Sequence, residues 1–293
     1  MTDNNRDQQP SQLFEALRRH GINLPAEHER TILEQIERIR DYEPLVGVFG
    51  KTGAGKSSLC NAVFGRDICT ISDVGACTRT VQEVSLSIGR KGMTLLDVPG
   101  VGESDQRDTE YDTLYRQWLP KLDLVLWVIK ADDRALASDE DFYKRLVLPH
   151  LQAGMPFFIV LNQVDKLEPF REWDEQAHQP GPRQAANIEE KRRQVAGFFG
   201  LPLDQVLCVS ANEGYGLVEL VDRVIHALPA AKRLSVMREV QEPYRSPKAR
   251  KATSRGVAET INTVIDILPL PAPVKSVAKS VVSVVSSVIN WFF

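Results

Sequence analysis

Residues 50–57 read GKTGAGKS and come directly after the apolar stretch LVGVF at residues 45–49. They complete the pattern G-x-x-x-x-G-K-[S/T], whose glycines let backbone N–H groups surround phosphate oxygens at the positive end of a helix. The apolar run before the loop and the amphipathic residues 59–64 after it predict the strand–loop–helix context that the pattern requires. We therefore expect a phosphate-binding loop.

On both sides of this loop, short apolar runs alternate with amphipathic stretches between residues 44 and 229. The alternation predicts an α/β fold with a mainly parallel sheet and helices on both faces. Residues 89–92 are too few for a crossover connection, so one antiparallel edge hairpin is expected there. The predicted strands are residues 45–49, 81–88, 93–96, 124–129, 157–161 and 206–209.

Three further motifs follow predicted strands, where the loops of a parallel sheet carry its chemistry. They are DVPG at residues 97–100, NQVDK at residues 162–166 and SAN at residues 210–212. A carboxylate at Asp165 can accept both N1–H and N2–H of guanine, a pair of donors that adenine does not offer. The N–H of Ala211 is expected to bond guanine O6. Each motif alone is weak evidence, but their order at strand ends favours a guanine nucleotide.

With these motifs the chain resembles the translation-factor-related GTPases, and in particular the Era-like G domains, over about residues 44–229. The segments VGACTR at residues 74–79, DVPGVGESD at residues 97–105 and NQVDK resemble prophage-associated Era-like GTPases of enteric bacteria, which are uncharacterised. The resemblance implies a P-loop G domain that binds GTP, GDP and Mg²⁺. It also implies a nucleotide-gated switch that hydrolyses GTP to GDP and phosphate.

The resemblance implies a role for individual residues of these loops. Lys56, Thr78 and Gly100 are the expected catalytic residues, and Ser57, Thr78 and Asp97 are the expected Mg²⁺ ligands. Thr78 and Gly100 would sense the γ-phosphate. The residues expected to bind the nucleotide and its metal are Gly50, Lys51, Thr52, Gly53, Ala54, Gly55, Lys56, Ser57, Ser58, Asp97, Asn162, Gln163, Asp165, Lys166, Ser210, Ala211 and Asn212.

Three positions depart from the family pattern. Gln163 stands where a lysine is usual, so we expect lower guanine affinity while Asp165 keeps the selectivity. Gly53 stands where potassium-activated members have asparagine, so no side-chain ligand for a monovalent ion is expected. Val101 replaces the glutamine that orients water in Ras-type enzymes, so intrinsic hydrolysis should be slow and need help in trans.

The phosphate loop is also similar to those of septin-like and immunity-related GTPases, which pair G domain to G domain and often act at membranes. A G-domain homodimer is therefore one source of the help. Arg66, Arg79 and Arg107 lie in or beside the expected switch segments and are candidates for an arginine finger. The alternative for each is a solvated or ion-paired arginine.

Composition divides the chain into an N-terminal helical segment at residues 1–43, the G domain at residues 44–229 and a basic, amphipathic helical region at residues 230–293. Helices are predicted for residues 11–20, with Ser11 as the cap, and for residues 26–40. In the last segment, two apolar stripes on either side of the rigid turn PLPAP, at residues 269–273, predict a helical hairpin. Its final helix is predicted over residues 274–293.

Two locations are open for this hairpin. It packs on the G domain or on the N-terminal helices, or it attaches to a membrane surface through Trp291 and the basic residues 245–255. Lys275 and Lys279 interrupt the apolar run, so we do not expect it to span a bilayer. Oligomerisation, RNA or a ribosome stay open as further partners of this tail.

The composition excludes several classes of protein. A chain with 43% hydrophobic and 26% charged residues is neither disordered, nor fibrous, nor a polytopic membrane protein. The net charge of -3 argues against a protein that coats nucleic acid. Four scattered cysteines favour reduced thiols, and the polar residues 1–10 are not a signal peptide. We expect a cytoplasmic protein, or one peripheral at the inner membrane.

Two rival functions differ from the GTPase switch. A P-loop ATPase or kinase is disfavoured by Asp165 and by the loop at Ser210 and Ala211. A slow-turnover GTP-binding scaffold at a membrane or ribosome is the other alternative, and Val101 keeps it open.

Overall fold

A computed structural model describes residues 4–65, 94–98, 116, 119–151 and 154–288. The chain divides into two compact units. One unit contains Pro44–Val224 and Glu239–Arg245, and we call it the sheet unit. The other contains Met1–Glu43, Ile225–Arg238 and Ser246–Phe293, and we call it the helical unit.

The sheet unit contains five described strands, in the order β2-β1-β3-β4-β5, and every described pair is parallel. This confirms the mainly parallel α/β sheet. The predicted strand at residues 81–88 and the predicted edge hairpin lie outside the described residues. The strands are β1 (Leu45–Phe49), β2 (Thr94–Val98), β3 (Leu124–Lys130), β4 (Phe157–Asn162) and β5 (Val206–Cys208).

The central strands are visible in the sequence because parallel strands covered on both faces read as unbroken apolar runs. Every residue of β4 is buried, and so are the first six residues of β3. Trp127 of β3 packs on Phe49 and Phe142, with ring centroids 6.1 and 5.2 Å away. Since β1 lies between β2 and β3, the chain reverses its direction of winding there. A ligand crevice forms at such a point, beyond the carboxyl ends of the strands.

Helices connect the strands of the sheet unit. A turn of π-helix at Tyr143–Val147 joins two short helices after β3, and Ile188, Val195 and Phe199 of the long helix before β5 pack into the core around β3 and β4. The helices are α3 (Lys56–Phe64), α4 (Ala137–Phe142), α5 (Leu148–Leu151), α6 (Pro182–Phe199) and α7 (Leu217–Ala227).

Residues 239–245 return to the sheet unit after the chain has left it. The backbone N–H of Gln241 donates to Val63 O at 2.7 Å, and its side-chain amide donates to Asn61 O and Ala62 O at 2.9 and 2.7 Å. Two of these bonds satisfy the carbonyl groups of Ala62 and Val63 in the last turn of α3, which lack partners within the helix.

The helical unit combines helices from both ends of the chain. Ile32 and Ile36 of the second helix share a core with Val257, Ile261 and other residues of the C-terminal hairpin. The hairpin therefore packs on the N-terminal helices, which was one of its two expected locations. The helices are α1 (Asn4–Arg19), α2 (Ala26–Asp41), α8 (Arg233–Glu239), α9 (Pro247–Ile267) and α10 (Ala272–Val288).

Two predicted helix starts were wrong. α1 begins at Asn4, so Ser11 lies inside the helix and does not cap it. Residues 4–10 contain no apolar side chain, and a helix without an apolar period leaves no trace in the sequence pattern. α10 begins at Ala272, two residues before the predicted start, because Pro273 fits the first turn of a helix. Of the helices that the structure describes, none is long and apolar enough to cross a membrane.

Candidate nucleotide-binding site

The phosphate loop at residues 50–57 depends on its glycines. Gly50, Gly53 and Gly55 have φ values of 141°, 81° and 86°, which side chains disfavour. A Cβ on Gly50 would lie 2.1 Å from the carbonyl oxygen of Val128 in β3, and one on Gly55 would lie 2.4 Å from Asn162 Nδ2. The loop is therefore a close-fitting cradle, and β3 and the end of β4 form its walls.

Lys56 lies at the junction of this loop and α3. Its ammonium donates to Gly50 O at 2.9 Å and to Lys51 O at 3.4 Å. The side chain of Lys56 therefore lies over the beginning of the loop. The N-cap of α3 is Gly55, which has no side-chain acceptor for the first N–H groups of the helix. Ser57 and Ser58 follow within this first turn. A helix start of this kind, next to a lysine, binds anions.

Asn162 connects three loops at the end of β4. Its Nδ2 donates to Ala54 O at 3.0 Å and to Gly55 O at 3.3 Å in the phosphate loop. Its Oδ1 accepts from the backbone N–H of Ala211 at 3.1 Å. Asn162 is only 1% exposed, so these partners replace water entirely. The structure thus places the Ala211 N–H, which the sequence assigns to guanine O6, on Asn162.

Gln163 makes the next contact with the phosphate loop. Its Nε2 donates to Gly53 O at 2.9 Å, and its Oε1 accepts from Lys166 Nζ, also at 2.9 Å. Its backbone has a left-handed φ of 63° and precedes the 3₁₀ turn Val164–Lys166. The amide therefore reaches the loop from the position where the family has a lysine.

The backbone carbonyl of Asp165 is held by Gln184, a residue that the sequence motifs do not include. Gln184 in α6 is completely buried, and its Nε2 donates to Asp165 O and Leu167 O, each at 2.9 Å. One signal was available, because Gln184 lies four residues before Ile188 on the buried face of a helix. A polar residue on such a face needs a partner, but the sequence does not name it.

The loop at residues 210–216 is a tight turn supported by a neighbouring loop. Ser210 N–H donates to Tyr215 O at 3.1 Å, and a Cβ on Gly216 would lie 2.2 Å from Cys208 O. The Tyr215 ring packs edge-on against Trp173 at 5.6 Å. The structure brings Ser210 and Ala211 next to Asn162, whereas Asn212 is exposed.

Lys51 belongs to the phosphate loop, but its side chain is directed to carboxylates beyond β3. Its ammonium lies 2.7 Å from Asp139 Oδ2 and 3.3 Å from Asp133 Oδ2. Asp139 is buried and accepts from Trp127 Nε1 at 3.2 Å. The side chain of Lys51 thus anchors the loop to α4, a role that the sequence analysis did not assign to it.

This ion pair shifts the pKa values of its members. Burial raises the pKa of Asp139 above its ordinary value, although the hydrogen bond and charge of Lys51 oppose the rise. Burial alone would lower the pKa of Lys51, but hydrogen bonds and charges of Asp139 and Asp133 raise it overall. The net shift at Asp139 therefore follows burial, which disfavours its charged form, whereas the net shift at Lys51 follows its two carboxylate partners.

Part of the predicted site has no structural description. Asp97 is the fourth residue of β2 and pairs in register with Val48, so its backbone lies near the carboxyl end of the strand next to the loop. Thr78, Gly100 and Val101 lie outside the described residues, as do Arg66, Arg79 and Arg107. Their assigned roles stay predictions.

Comparisons with known proteins identify similar sequences, and one of them covers the phosphate loop. A family model described as 50S ribosome-binding GTPase matches residues 45–163. The uncharacterized protein YfjP of Escherichia coli strain K12 is 40% identical over 290 residues, which are 96% of this chain and 99% of YfjP. The uncharacterized protein YkfA of the same strain is 40% identical over 279 residues, 92% of this chain and 95% of its own.

More distant similarities cover a smaller share of the chain. GTPase Era of Aquifex aeolicus is 26% identical over 196 residues, 64% of this chain and 58% of Era. A crystal structure of a variant of the same Era, bound to GDP and AlF4⁻, has a TM-score of 0.46 and 24% identity. It covers 63% of this chain and 56% of that chain.

Proposed function

Because the chain belongs to the Era-like P-loop GTPases, we propose that it hydrolyses GTP to GDP and phosphate and acts as a nucleotide-gated switch that depends on Mg²⁺. The observation that carries the proposal is the convergence of three loops on Asn162. One buried amide joins the phosphate loop to the SAN loop and itself begins the NQVDK motif. A pocket for phosphate and a pocket for the base are thereby held at a fixed separation.

In this proposal, the phosphates lie against the loop backbone, the start of α3 and Lys56. The ammonium of Lys56 donates to two neutral carbonyl groups, and a phosphate is a stronger acceptor for it. Asp165 accepts two donors of guanine. The Ala211 N–H, which Asn162 Oδ1 engages, is shared between that oxygen and guanine O6.

The three residues assigned to Mg²⁺ have the chemistry to hold it. The Ser57 hydroxyl lies in the first turn of α3 beside Lys56, and with Thr78 and Asp97 it offers the hard oxygen ligands that Mg²⁺ takes. When bound, Mg²⁺ neutralises charge on the phosphate oxygens. The protein's part is to hold the ion's ligands and to keep Lys56 over the same phosphates.

Hydrolysis should be slow without help, because Val101 cannot orient water. We propose that Lys56, Thr78 and Gly100 act on the γ-phosphate and that a second G domain supplies the missing assistance. Arg66, Arg79 or Arg107 would be the donated residue. A homodimer of this kind needs no separate activator.

The setting that we propose for the switch is the cytoplasm. The packing of the hairpin on the N-terminal helices supports an intramolecular role for residues 230–293, in a cytoplasmic protein. A peripheral location at the inner membrane and contact with RNA or a ribosome are the alternatives. The alternative function is a slow-turnover GTP-binding scaffold at a membrane or a ribosome.

Two assays on the full chain test the function. In a competition assay with fluorescently labelled GDP and Mg²⁺, unlabelled GTP and GDP should displace the probe, and ATP should not. In a multiple-turnover phosphate assay, the parent should release phosphate from GTP, and Lys56→Ala should lose the activity. Displacement by ATP would contradict guanine specificity. Tight GTP binding without turnover at any protein concentration would establish the scaffold instead.

A further inference from the structure

Gln163 is oriented at both ends of its side chain. Its NH₂ group faces the carbonyl of Gly53, and its carbonyl oxygen faces the ammonium of Lys166, each at 2.9 Å. A flipped amide would place oxygen against oxygen at Gly53 and NH₂ against ammonium at Lys166. Both contacts would be repulsive, so the network allows one orientation of the amide only.

The local backbone fixes Lys166 relative to Gln163. Lys166 is the last residue of the turn Val164–Lys166 and lies three positions after Gln163. Its backbone N–H donates to Gln163 O at 3.1 Å. The left-handed backbone of Gln163 costs free energy in a residue that has a Cβ, so the surrounding bonds must hold it there. The turn thus brings the two side chains within reach of each other.

Asn162 and Gln163 hold consecutive parts of the phosphate loop. Asn162 binds the carbonyl oxygens of Ala54 and Gly55, and Gln163 binds that of Gly53. Two neighbouring amides therefore fix the orientation of the peptide groups of residues 53–55. These peptide groups form the second half of the cradle.

We propose that Lys166 and Gln163 together replace the lysine that the family has at position 163. The amide of Gln163 makes the contact with the loop, and the ammonium of Lys166 supplies the charge by polarising that amide. A donor to Oε1 strengthens the N–H groups of the same amide, because hydrogen bonds in a chain polarise one another. Lys166 is a positioning residue for the nucleotide and acts through Gln163. This inference rests on the proposed binding of guanine nucleotides.

The relay changes the expectation for affinity. Loss of charge at position 163 suggests weak binding, but the charge is present one side chain further away. A lysine introduced at position 163 would reach Gly53 O without a polarising partner and would repel Lys166. Lys166 should therefore strengthen nucleotide binding when residue 163 is glutamine, and it should not strengthen binding when residue 163 is lysine.

A double-mutant cycle on the full chain tests this coupling. The variants are Lys166→Ala, Gln163→Lys and their combination, titrated with fluorescently labelled GDP in the presence of Mg²⁺. In the parent, Lys166→Ala should weaken binding about 2- to 10-fold. In the Gln163→Lys background, it should leave binding unchanged or tighten it. Lys166→Arg keeps the positive charge and should bind labelled GDP with the parental affinity. Lys248 is an exposed lysine of α9, and Lys248→Ala should not change this affinity.

Amide hydrogen exchange of residues 50–57, measured on the protein without added nucleotide, provides a second readout. Lys166→Ala should accelerate exchange in the parent and not in the Gln163→Lys background. Equal effects of Lys166→Ala in both backgrounds, or none in either, would overturn the relay. If the parent does not bind labelled GDP, the proposed function fails, and the exchange cycle still decides whether the relay exists.

Discussion

At the scale of single residues, Asp165 determines the choice of base, because one carboxylate accepts two donors from guanine. Asp165→Asn presents a donor where guanine also has one. We expect GTP affinity to fall about 100-fold or more, since two charge-assisted hydrogen bonds are lost, and preference to move to xanthine nucleotides. Competition between GTP and XTP measures this, with the exposed Glu175→Gln as the control. Unchanged GTP binding would show that this loop does not contact the base.

Gln184 provides a second test at the residue scale. Gln184→Leu fills a similar volume but removes the donor from the partly buried carbonyls of Asp165 and Leu167. We expect a loss of about 2–4 kcal/mol in the free energy of unfolding, measured with urea, and weaker GDP binding. Gln194→Leu, at an exposed position of the same helix, should change neither quantity. Parental GDP affinity in Gln184→Leu would mean that the loop keeps its shape unaided.

The sequence predicts the role of a residue well when the residue belongs to a recognised motif. It predicts the role poorly when the role depends on buried partners from distant parts of the chain. The loops at residues 50–57, 162–166 and 210–212 were identified from their order along the chain. Gln184 and Asp139 were missed because their importance depends on which atoms surround them. The relay from Lys166 to Gln163 was also missed, since its two hydrogen bonds depend on side-chain directions.

At the scale of elements, the ion pair between Lys51 and Asp139 ties the phosphate loop to α4. Burial raises the pKa of Asp139 in the folded state above its ordinary value of 3.8. The folded protein therefore binds this proton more tightly than the unfolded chain does. The stability contribution of Asp139 is full below 3.8 and is lost as the pH rises through the raised pKa.

Asp139→Asn removes this dependence. We expect the stability of Asp139→Asn, relative to the parent, to increase as the pH rises from about 4 to 7, in urea unfolding curves. Asp141→Asn, at an exposed position of the same helix, is the control. Its difference from the parent should be constant over the same range. A constant difference for Asp139→Asn as well would contradict the raised pKa.

Element boundaries follow from how strongly each element buries its side chains. β1 is predicted with its observed bounds, because a buried parallel strand reads as an apolar run. β3 and β4 each extend one residue beyond their apolar runs, to the polar residues Lys130 and Asn162. α1 begins much earlier than predicted, since its first residues are polar and have no periodicity. The sequence therefore predicts the sheet more accurately than the ends of the surface helices.

At the scale of the whole molecule, the proposed pairing of G domains predicts that catalysis depends on protein concentration. Specific GTPase activity should rise with concentration, because an arginine supplied in trans contributes a factor of ~10³–10⁵ to phosphoryl transfer. Steady-state phosphate release measures this. Substitution of the responsible residue among Arg66, Arg79 and Arg107 by alanine should abolish the rise. A specific activity that is constant over roughly a hundredfold range, spanning any measured self-association constant, would favour an external activator.

The helical unit has its own core, and its members are far apart in the chain. α1 and α2 precede the sheet unit, whereas α9 and α10 follow it, yet Ile32 and Ile261 lie in one apolar cluster. The sequence predicts three segments and leaves the packing of the last on the first as one of several open locations, because an apolar helix face does not name the surface that covers it.

This arrangement imposes an order on events during translation. The chain emerges from α1 onward, so Ile32 and Ile36 are synthesised long before the residues that cover them. At ~5–20 residues per second, the interval between the end of α2 and the start of α9 lasts roughly 10–40 s. For that time the nascent chain presents the apolar face of α2 to solvent or to a chaperone, and the phosphate loop and β1–β5 are synthesised during the same interval.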